Sequence, residues 1–288
     1  MYLPDFEYYA PNSVAEVCKM LADFGPRARI LSGGSDLLPK MKNGLIAPEV
    51  LVSIKNCGMN KIEYIQGKGI VIGGRSTHND VVFSPVLEKK YKSVCIAAKS
   101  MAANQVRHIG TVAGNIASSV PSADLPPILI VLNSTVTLVS PRGERALPLE
   151  DVFTGPGKTV IEHDEILTEV IIPDQNMTGS KYLKFALRKS GALATVGVAA
   201  AVQLEGKTLK DVRIALGAVS PTPVRAKEAE KYLIGKEVSD DLFEEAGKIA
   251  CGECKPITDF RATAEYRTDM VRVFTKRALR EAVNNGHN

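Results

Sequence analysis

The 288-residue sequence is 45% hydrophobic and 24% charged, and its 36 Lys and Arg against 32 Asp and Glu leave a net charge of +4. That composition excludes a chain dominated by disorder, and the dispersed charge excludes a nucleic-acid binder built on a basic stripe. No apolar run approaches the roughly 20 residues that a bilayer span needs, residues 1–5 lack a signal-peptide pattern, and five cysteines argue for a reducing compartment, so a cytoplasmic location is expected.

The length suits roughly two domains of about 150 residues. Ser13-Val14-Ala15-Glu16 fits a capping box, and Val14, Val17, Leu21 and Phe24 recur at helical spacing, which predicts a helix over 13–24. Gly25-Pro26 stops it. A strand over 27–31 then delivers the chain into a first glycine loop, Ile30-Leu31-Ser32-Gly33-Gly34-Ser35-Asp36-Leu37-Leu38. A second strand follows over 50–54, so the loop sits at the carboxyl end of a strand, where ligands commonly bind in α/β units. Residues 61–65 and 70–74 read as a hairpin, and 77–83 and 90–103 as helices. The second glycine loop runs Gly110-Thr111-Val112-Ala113-Gly114-Asn115-Ile116-Ala117-Ser118-Ser119, then Val120-Pro121-Ser122-Ala123-Asp124-Leu125-Pro126-Pro127. Beyond it come a short apolar helix, a strand over 135–140, a turn over 141–143 and a strand over 165–172 ended by Pro173. The polar stretch 174–179 is the best boundary. Strands over 181–187, 192–204 and 209–219 and helices near 225–234, 239–251 and 261–283 complete a small α+β unit. The basic stretch 261–280, interleaved with Glu265 and Asp269, reads as a solvated helix face.

Both loops pair glycines with small hydroxyl residues and a following acid. Glycine lets a backbone approach a ligand closely and adopt φ > 0. Freed N–H groups and hydroxyls can then hold phosphate oxygens. Two such loops imply a ligand with a diphosphate between two larger groups. The first loop lacks the dinucleotide-binding Gly-x-Gly-x-x-Gly pattern, and Gly33-Gly34 alone also fits a plain turn; no Gly-Lys-Ser/Thr phosphate loop occurs. The second is more specific: Thr111, Asn115, Ser118, Ser119, Ser122 and Asp124 stand among small residues that leave space. Cys251-Gly-Glu-Cys254 lacks a second close pair, since Cys18, Cys57 and Cys95 are isolated, so free thiols near a helix end are expected and no metal site. His78, His108, His163 and His287 are scattered; His108, beside the second loop, fits a ligand contact and a plain helix-end residue equally. No Ser-His-Asp or paired-carboxylate arrangement stands out, which fits a chain whose cofactor supplies the chemistry.

Ser32-Gly33-Gly34-Ser35-Asp36 resembles the Ala-Gly-Gly-Thr-Asp loop of the FAD-binding subunits of molybdenum hydroxylases. Thr111-Val112-Ala113-Gly114-Asn115 resembles their Thr-Ile-Gly-Gly-Asn loop, and Ser122-Ala123-Asp124 their downstream acidic segment. Residues 153–158 and 162–167 look most like the FAD subunit of bacterial xanthine dehydrogenases, and Ala264-Glu265-Tyr266-Arg267 resembles a helix start in the family's C-terminal domain. The resemblance covers essentially the whole chain. It implies an α+β fold: a two-part FAD-binding domain of the PCMH/vanillyl-alcohol-oxidase-like type over 1–175 (subdomains about 1–55 and 56–175), then a small domain over 180–288 with a three-stranded antiparallel sheet and helices.

It also implies a division of labour. A large molybdopterin subunit oxidises the substrate and a small subunit carries two [2Fe–2S] clusters. This chain holds FAD and reduces NAD⁺, and purine catabolism leads over carbon monoxide, aldehydes and N-heterocycles. Ile30, Leu31, Ser32, Gly33, Gly34, Ser35, Asp36 and Leu37 would wrap the diphosphate. Thr111, Ala113, Gly114 and Asn115 would close on the diphosphate and ribityl region. Asp124 would bond a ribose or ribityl hydroxyl, Leu167 would place a backbone group at the flavin or adenine edge, and Glu165 would be a further cofactor-binding residue. Lys184 would be the catalytic residue, a cation near the reduced ring; the residues alone also fit a surface strand lysine. Ala113 stands where the family often has glycine, and Leu193 where some relatives carry an aromatic residue. The cysteine-bearing insertion of 4-hydroxybenzoyl-CoA reductases is absent. Two other readings remain: a stand-alone flavin oxidoreductase, and a non-catalytic assembly protein that retains the fold.

Overall fold

The computed structural model describes residues 2–284 and is α+β. Strands β1 (Glu7–Tyr9), β2 (Ala28–Leu31) and β3 (Val50–Ser53) form a parallel sheet in the order β1-β3-β2. Central β3 is buried at all four positions, as its unbroken apolar run requires of a parallel strand covered on both faces. Helix α1 (Val14–Phe24) wedges Val17, Cys18 and Leu21 between this sheet and the next, and the Cys18 thiol donates to Val139 O at 3.3 Å. The predicted capping box is half formed. Ser13 Oγ accepts from the Glu16 N–H, but the Glu16 carboxylate accepts from the Asn12 N–H at 2.9 Å. Gly25, at φ +57°, ends the helix. Helix α2 (Leu37–Lys42) follows the first glycine loop.

The second sheet is antiparallel: β4 (Ile62–Ile65), β5 (Gly69–Gly73), β6 (Thr135–Ser140), β7 (Gly143–Pro148) and, after the short hairpin β8 (Phe153–Gly155) and β9 (Lys158–Thr159), β10 (Ile166–Ile172). Its order is β4-β5-β10-β6-β7. Ile70, Ile72, Val136 and Leu138 pack with residues of α4 (Pro85–Ser100), α6 (Val112–Ala117) and α7 (Leu125–Val131). Two short helices, α3 (His78–Val82) and α5 (Asn104–Ile109), complete this layer. Three expectations need correction. Helix α4 starts five residues before the predicted 90, because Ser84 caps it and Pro85 is pre-set for the first turn. Helix α5 and strands β7 to β9 are additional elements. The second glycine loop is largely helix α6.

The C-terminal sheet joins β11 (Gly179–Phe185), β12 (Val196–Glu205), β13 (Thr208–Gly217) and β14 (Val224–Arg225) in sequence order. It therefore has four strands among the described residues rather than three; two-residue β14 is too short to show a pattern. Strand β12 explains its own composition. Ala199 and Ala201 face the core that holds α4 and α7, while Val196, Val198, Ala200 and Val202 face α8 (Lys227–Leu233), α9 (Asp240–Cys251) and α10 (Ala264–Asn284).

The reading of 261–280 as a solvated face fails at one residue. Arg267, 1% exposed, donates to Thr195 O at 2.7 Å, Ala218 O at 3.1 Å and Asp259 Oδ1 at 2.7 Å. Arg267 and Arg261 together hold the Asp259 carboxyl well below its ordinary range. Arg267 thus pins α10 to the turns that flank β12 and β13. Arg267→Ala strands two buried carbonyls while Arg261 still holds Asp259, and is expected to cost about 2–4 kcal/mol. Arg280→Ala, also on α10, which breaks an exposed pair with Asp240 at the start of α9, should cost about 0–1 kcal/mol. Urea unfolding midpoints compare the two.

Candidate functional site

A cavity of about 700 Å³ lies where the two N-terminal sheets meet, within the roughly 300–1,000 Å³ usual for cofactor clefts. Among the expected contact residues, Ile30, Ser32, Gly33, Gly34, Ser35, Asp36, Leu37, Thr111, Ala113, Gly114, Asn115, Asp124, Glu165 and Leu167 line it; Leu31 and Lys184 stand behind the wall. Leu31 belongs to β2, where its carbonyl accepts from Ile54 N–H at 3.1 Å and its side chain packs under Gly34.

The first loop leaves β2 and enters α2 by two bonds, Leu38 N–H to Gly34 O at 3.0 Å and Lys40 N–H to Asp36 O at 3.2 Å. Gly34 takes φ +73°. A Cβ on Gly33 would stand 1.8 Å from Ile109 O, so only glycine lets the two loops touch. A hydroxyl pair, Ser32 Oγ and Thr111 Oγ1 at 2.9 Å, closes the contact. Among the described residues, the N–H groups of Gly33, Gly34, Ser35 and Asp36 meet no protein acceptor, so they form a row of donors free for an anion.

The second segment behaves differently. Thr111 caps α6, and the helix's first N–H groups are engaged: Val112 to Ser76 O at 2.9 Å, Ala113 to Gly74 O at 3.2 Å, Gly114 to Thr111 Oγ1 at 3.1 Å. The expectation of freed backbone donors is therefore corrected to the first loop alone. The second segment offers side chains: Asn115, Ser118, Ser122 and Asp124. Asn115 Oδ1 is buried without a partner. The Ala113 methyl lies against Gly74, 3.2 Å from where a Cβ of that glycine would stand.

Lys184 is no surface lysine. Its ammonium donates to Asp124 Oδ2, Ser100 O and Ala192 O, each at 2.9 Å, which uses its three donors inside the protein. It therefore acts on the cavity by fixing Asp124 and the loop that carries Leu193, which is 58% exposed at the rim. Tyr182 Oη donates to Asp124 Oδ1 at 2.8 Å; Gly197 makes room, since a Cβ there would lie 2.8 Å from that oxygen. Burial pushes the Asp124 carboxyl up, opposed by Lys184, and pushes the Tyr182 phenol far up. On the opposite wall Arg145 grips Glu165 with two bonds of 2.7 Å and holds its carboxyl below the usual range.

A wall residue without an expected role is His78, 2% exposed, whose Nδ1 has no partner. Burial and the nearby Arg107 push its pKa down to about 4, so it is neutral near pH 7. His108, the histidine beside the second loop, is exposed and off the wall, His163 lines it, and His287 lies outside the described residues. Cys251 and Cys254 are free, with thiols raised by burial that donate to backbone carbonyls. Among the described residues no cluster of three His, Cys, Asp or Glu could hold a metal.

Residues 4–175 match the FAD binding domain in molybdopterin dehydrogenase, and 181–282 the CO dehydrogenase flavoprotein C-terminal domain. The chain belongs to this family of FAD-binding medium subunits of molybdenum hydroxylases. It is 35% identical to the carbon monoxide dehydrogenase medium chain of Hydrogenophaga pseudoflava over 98% of both chains, and that enzyme's structure superposes with a TM-score of 0.94. It is 31% identical to the glyceraldehyde dehydrogenase medium chain of Sulfolobus acidocaldarius, over 98% of this chain and 99% of that one. The xanthine dehydrogenase FAD-binding subunit of Escherichia coli O157:H7 is 29% identical, over 96% and 95%. The residues present fit FAD: the unengaged N–H row suits a diphosphate, and the walls add apolar side chains and a buried acceptor in Asp124.

Gly33→Ala drives a methyl into a backbone carbonyl and is expected to cost about 1–3 kcal/mol and to lower the FAD-to-protein ratio on purification. Gly155→Ala, where the nearest atom is a flexible Lys158 carbon at 3.9 Å, should leave both unchanged. Lys184→Met leaves Asp124 buried without its cation, an expected loss of about 3–5 kcal/mol. Adding Asp124→Asn should return part of it, as read in a double-mutant cycle of thermal midpoints.

Proposed function

We propose that this chain is the FAD-binding electron-transfer subunit of a cytoplasmic molybdenum hydroxylase, taking electrons from a [2Fe–2S] partner subunit and passing them to NAD⁺ while a molybdopterin subunit oxidises the substrate. The observation that carries the reading is the free N–H row of Gly33–Asp36 locked against the 110–124 segment across one cavity. FAD, when bound, accepts electrons singly and releases them as a pair. The chain's own part is to bind and orient. The first loop holds the diphosphate, Asp124 is fixed by Tyr182 and Lys184 to accept from a hydroxyl, and the half-open rim at Leu193 supports an acceptor that arrives from solvent.

A stand-alone flavin oxidoreductase would need an acid or base of its own for its substrate. Asp124 and Glu165 are tied to Lys184 and Arg145, and His78 is buried and neutral, which favours the electron-transfer reading. The purine assignment rests on residues 153–158 and 162–167. Overall identity does not single it out, since the carbon monoxide dehydrogenase chain is the more similar. The substrate is decided in the molybdopterin subunit. Among the described residues, no helix is long and apolar enough to cross a membrane.

The test is an absorbance spectrum of the purified chain followed by anaerobic NADH. A flavin spectrum that bleaches with NADH is expected. A colourless chain that takes up no FAD overturns the flavoprotein reading and favours an assembly protein. Flavin that ignores NADH overturns the acceptor.

A further inference from the structure

We infer that His78 is an additional cofactor-contact residue whose imidazole donates a hydrogen bond to the diphosphate of the bound dinucleotide; the inference rests on the FAD reading above.

The backbone holds His78 in place from two sides. Thr77 and Asp80 form a reciprocal capping box at the start of α3, with bonds of 3.1 and 2.7 Å. Thr77 also bridges to Thr111, and the His78 N–H donates to Gly110 O at 3.0 Å. The ring is placed by the second glycine segment. His78 Cδ2 lies 3.1 Å from where a Cβ on Gly110 would stand, and Ser35 Oγ lies 3.4 Å from the same point. The ring edge that carries Cδ2 and Nε2 and the Ser35 hydroxyl therefore converge on Gly110. Any larger residue there would separate them. That convergence lies beside the unengaged N–H groups of Gly33–Asp36.

The hydrogen-bond account points the same way. Among the described residues Nε2, on the edge that meets Ser35 and Gly110, bonds no protein group, and Nδ1 on the other edge is enclosed without a partner, although the residue is 2% exposed and lines the cavity. Buried polar groups are almost always paired, so an unpaired imidazole on a cavity wall calls for a partner in the cavity. A neutral imidazole offers one N–H, and its neighbours there are donors suited to an anion.

The test uses the full chain with ¹⁵N-labelled histidine. The ring-nitrogen shifts of His78 are recorded without and with saturating FAD, and FAD dissociation constants are measured by flavin fluorescence for wild type, His78→Phe and His78→Gln. A shift on FAD addition is expected, with affinity about 10- to 100-fold weaker in His78→Phe, as for loss of a bond to a charged acceptor, and less so in His78→Gln, which keeps an N–H. If wild type binds FAD while the His78 shifts stay unchanged and His78→Phe keeps wild-type affinity, the inference falls and the FAD reading stands. If wild type binds no FAD, both fall. Should His78→Phe not fold, the wild-type shifts and His78→Gln decide.

Discussion

The molecule depends on one close approach: Gly33 against the Ile109 carbonyl, with Ser32 and Thr111 bonded beside it. Two sheets of different kind, one parallel and one antiparallel, meet there. Each could bury its own face against helices, but neither alone would enclose a cavity. Because the contact is backbone to backbone, no side-chain adjustment can replace it. The same contact aligns the first loop so that its N–H groups point away from protein acceptors. In most loops such groups find a carbonyl or water, since an unpaired buried amide is costly. Here the geometry that forbids a Cβ also keeps four donors together.

The charges around the cavity follow a consistent rule. The wall carries two buried carboxylates, and each is paired before a ligand arrives, Asp124 with Lys184 and Glu165 with Arg145. Unpaired, either would repel a diphosphate. Paired, they leave amides, hydroxyls and an imidazole to attract it, together with the Arg29 and Lys40 side chains that also line the cavity. Such dipoles, already oriented, hold an anion without rearranging. The Asp124 pair also couples distant segments, because Lys184 on β11 reaches the end of α4 and the loop before β12. The C-terminal unit is thereby part of the cavity's support even though its own helices lie on the far side of its sheet.

Much of this was legible in the sequence. Glycine pairs with hydroxyl residues located both loops, because close approach and φ > 0 demand glycine regardless of context. Alternation and apolar runs located most strands. The second segment was misread for a physical reason: Gly114 and the small residues around it look like a loop, but Thr111 supplies a cap and tertiary carbonyls from Gly74 and Ser76 take the N–H groups. Those acceptors lie some forty residues away in the chain, and no local pattern announces them. Arg267 was opaque for the same reason, and Lys184 was marked by the family resemblance alone and not by any local pattern. A basic residue on a helix or strand reads as solvated unless its distant acceptors are known. His78 gave no signal at all, since a lone histidine after a threonine cap looks like any helix start.

The state of the buried ionisable groups on the cavity wall is itself informative. An enzyme that moves protons on its substrate keeps at least one ionisable side chain exposed to it with a pKa near the working pH. Along this cavity the two buried carboxylates, Asp124 and Glu165, are locked to cations, and the one fully enclosed imidazole is held neutral by burial and a neighbouring guanidinium. Buried groups held this way favour keeping a large, anionic, redox-active ligand still. The exposed rim at Leu193 then matters for what can approach that ligand rather than for any reaction of the protein itself. An aliphatic side chain at a half-open mouth leaves room for a planar partner, so reactivity would be governed by access and by the fixed donors behind it.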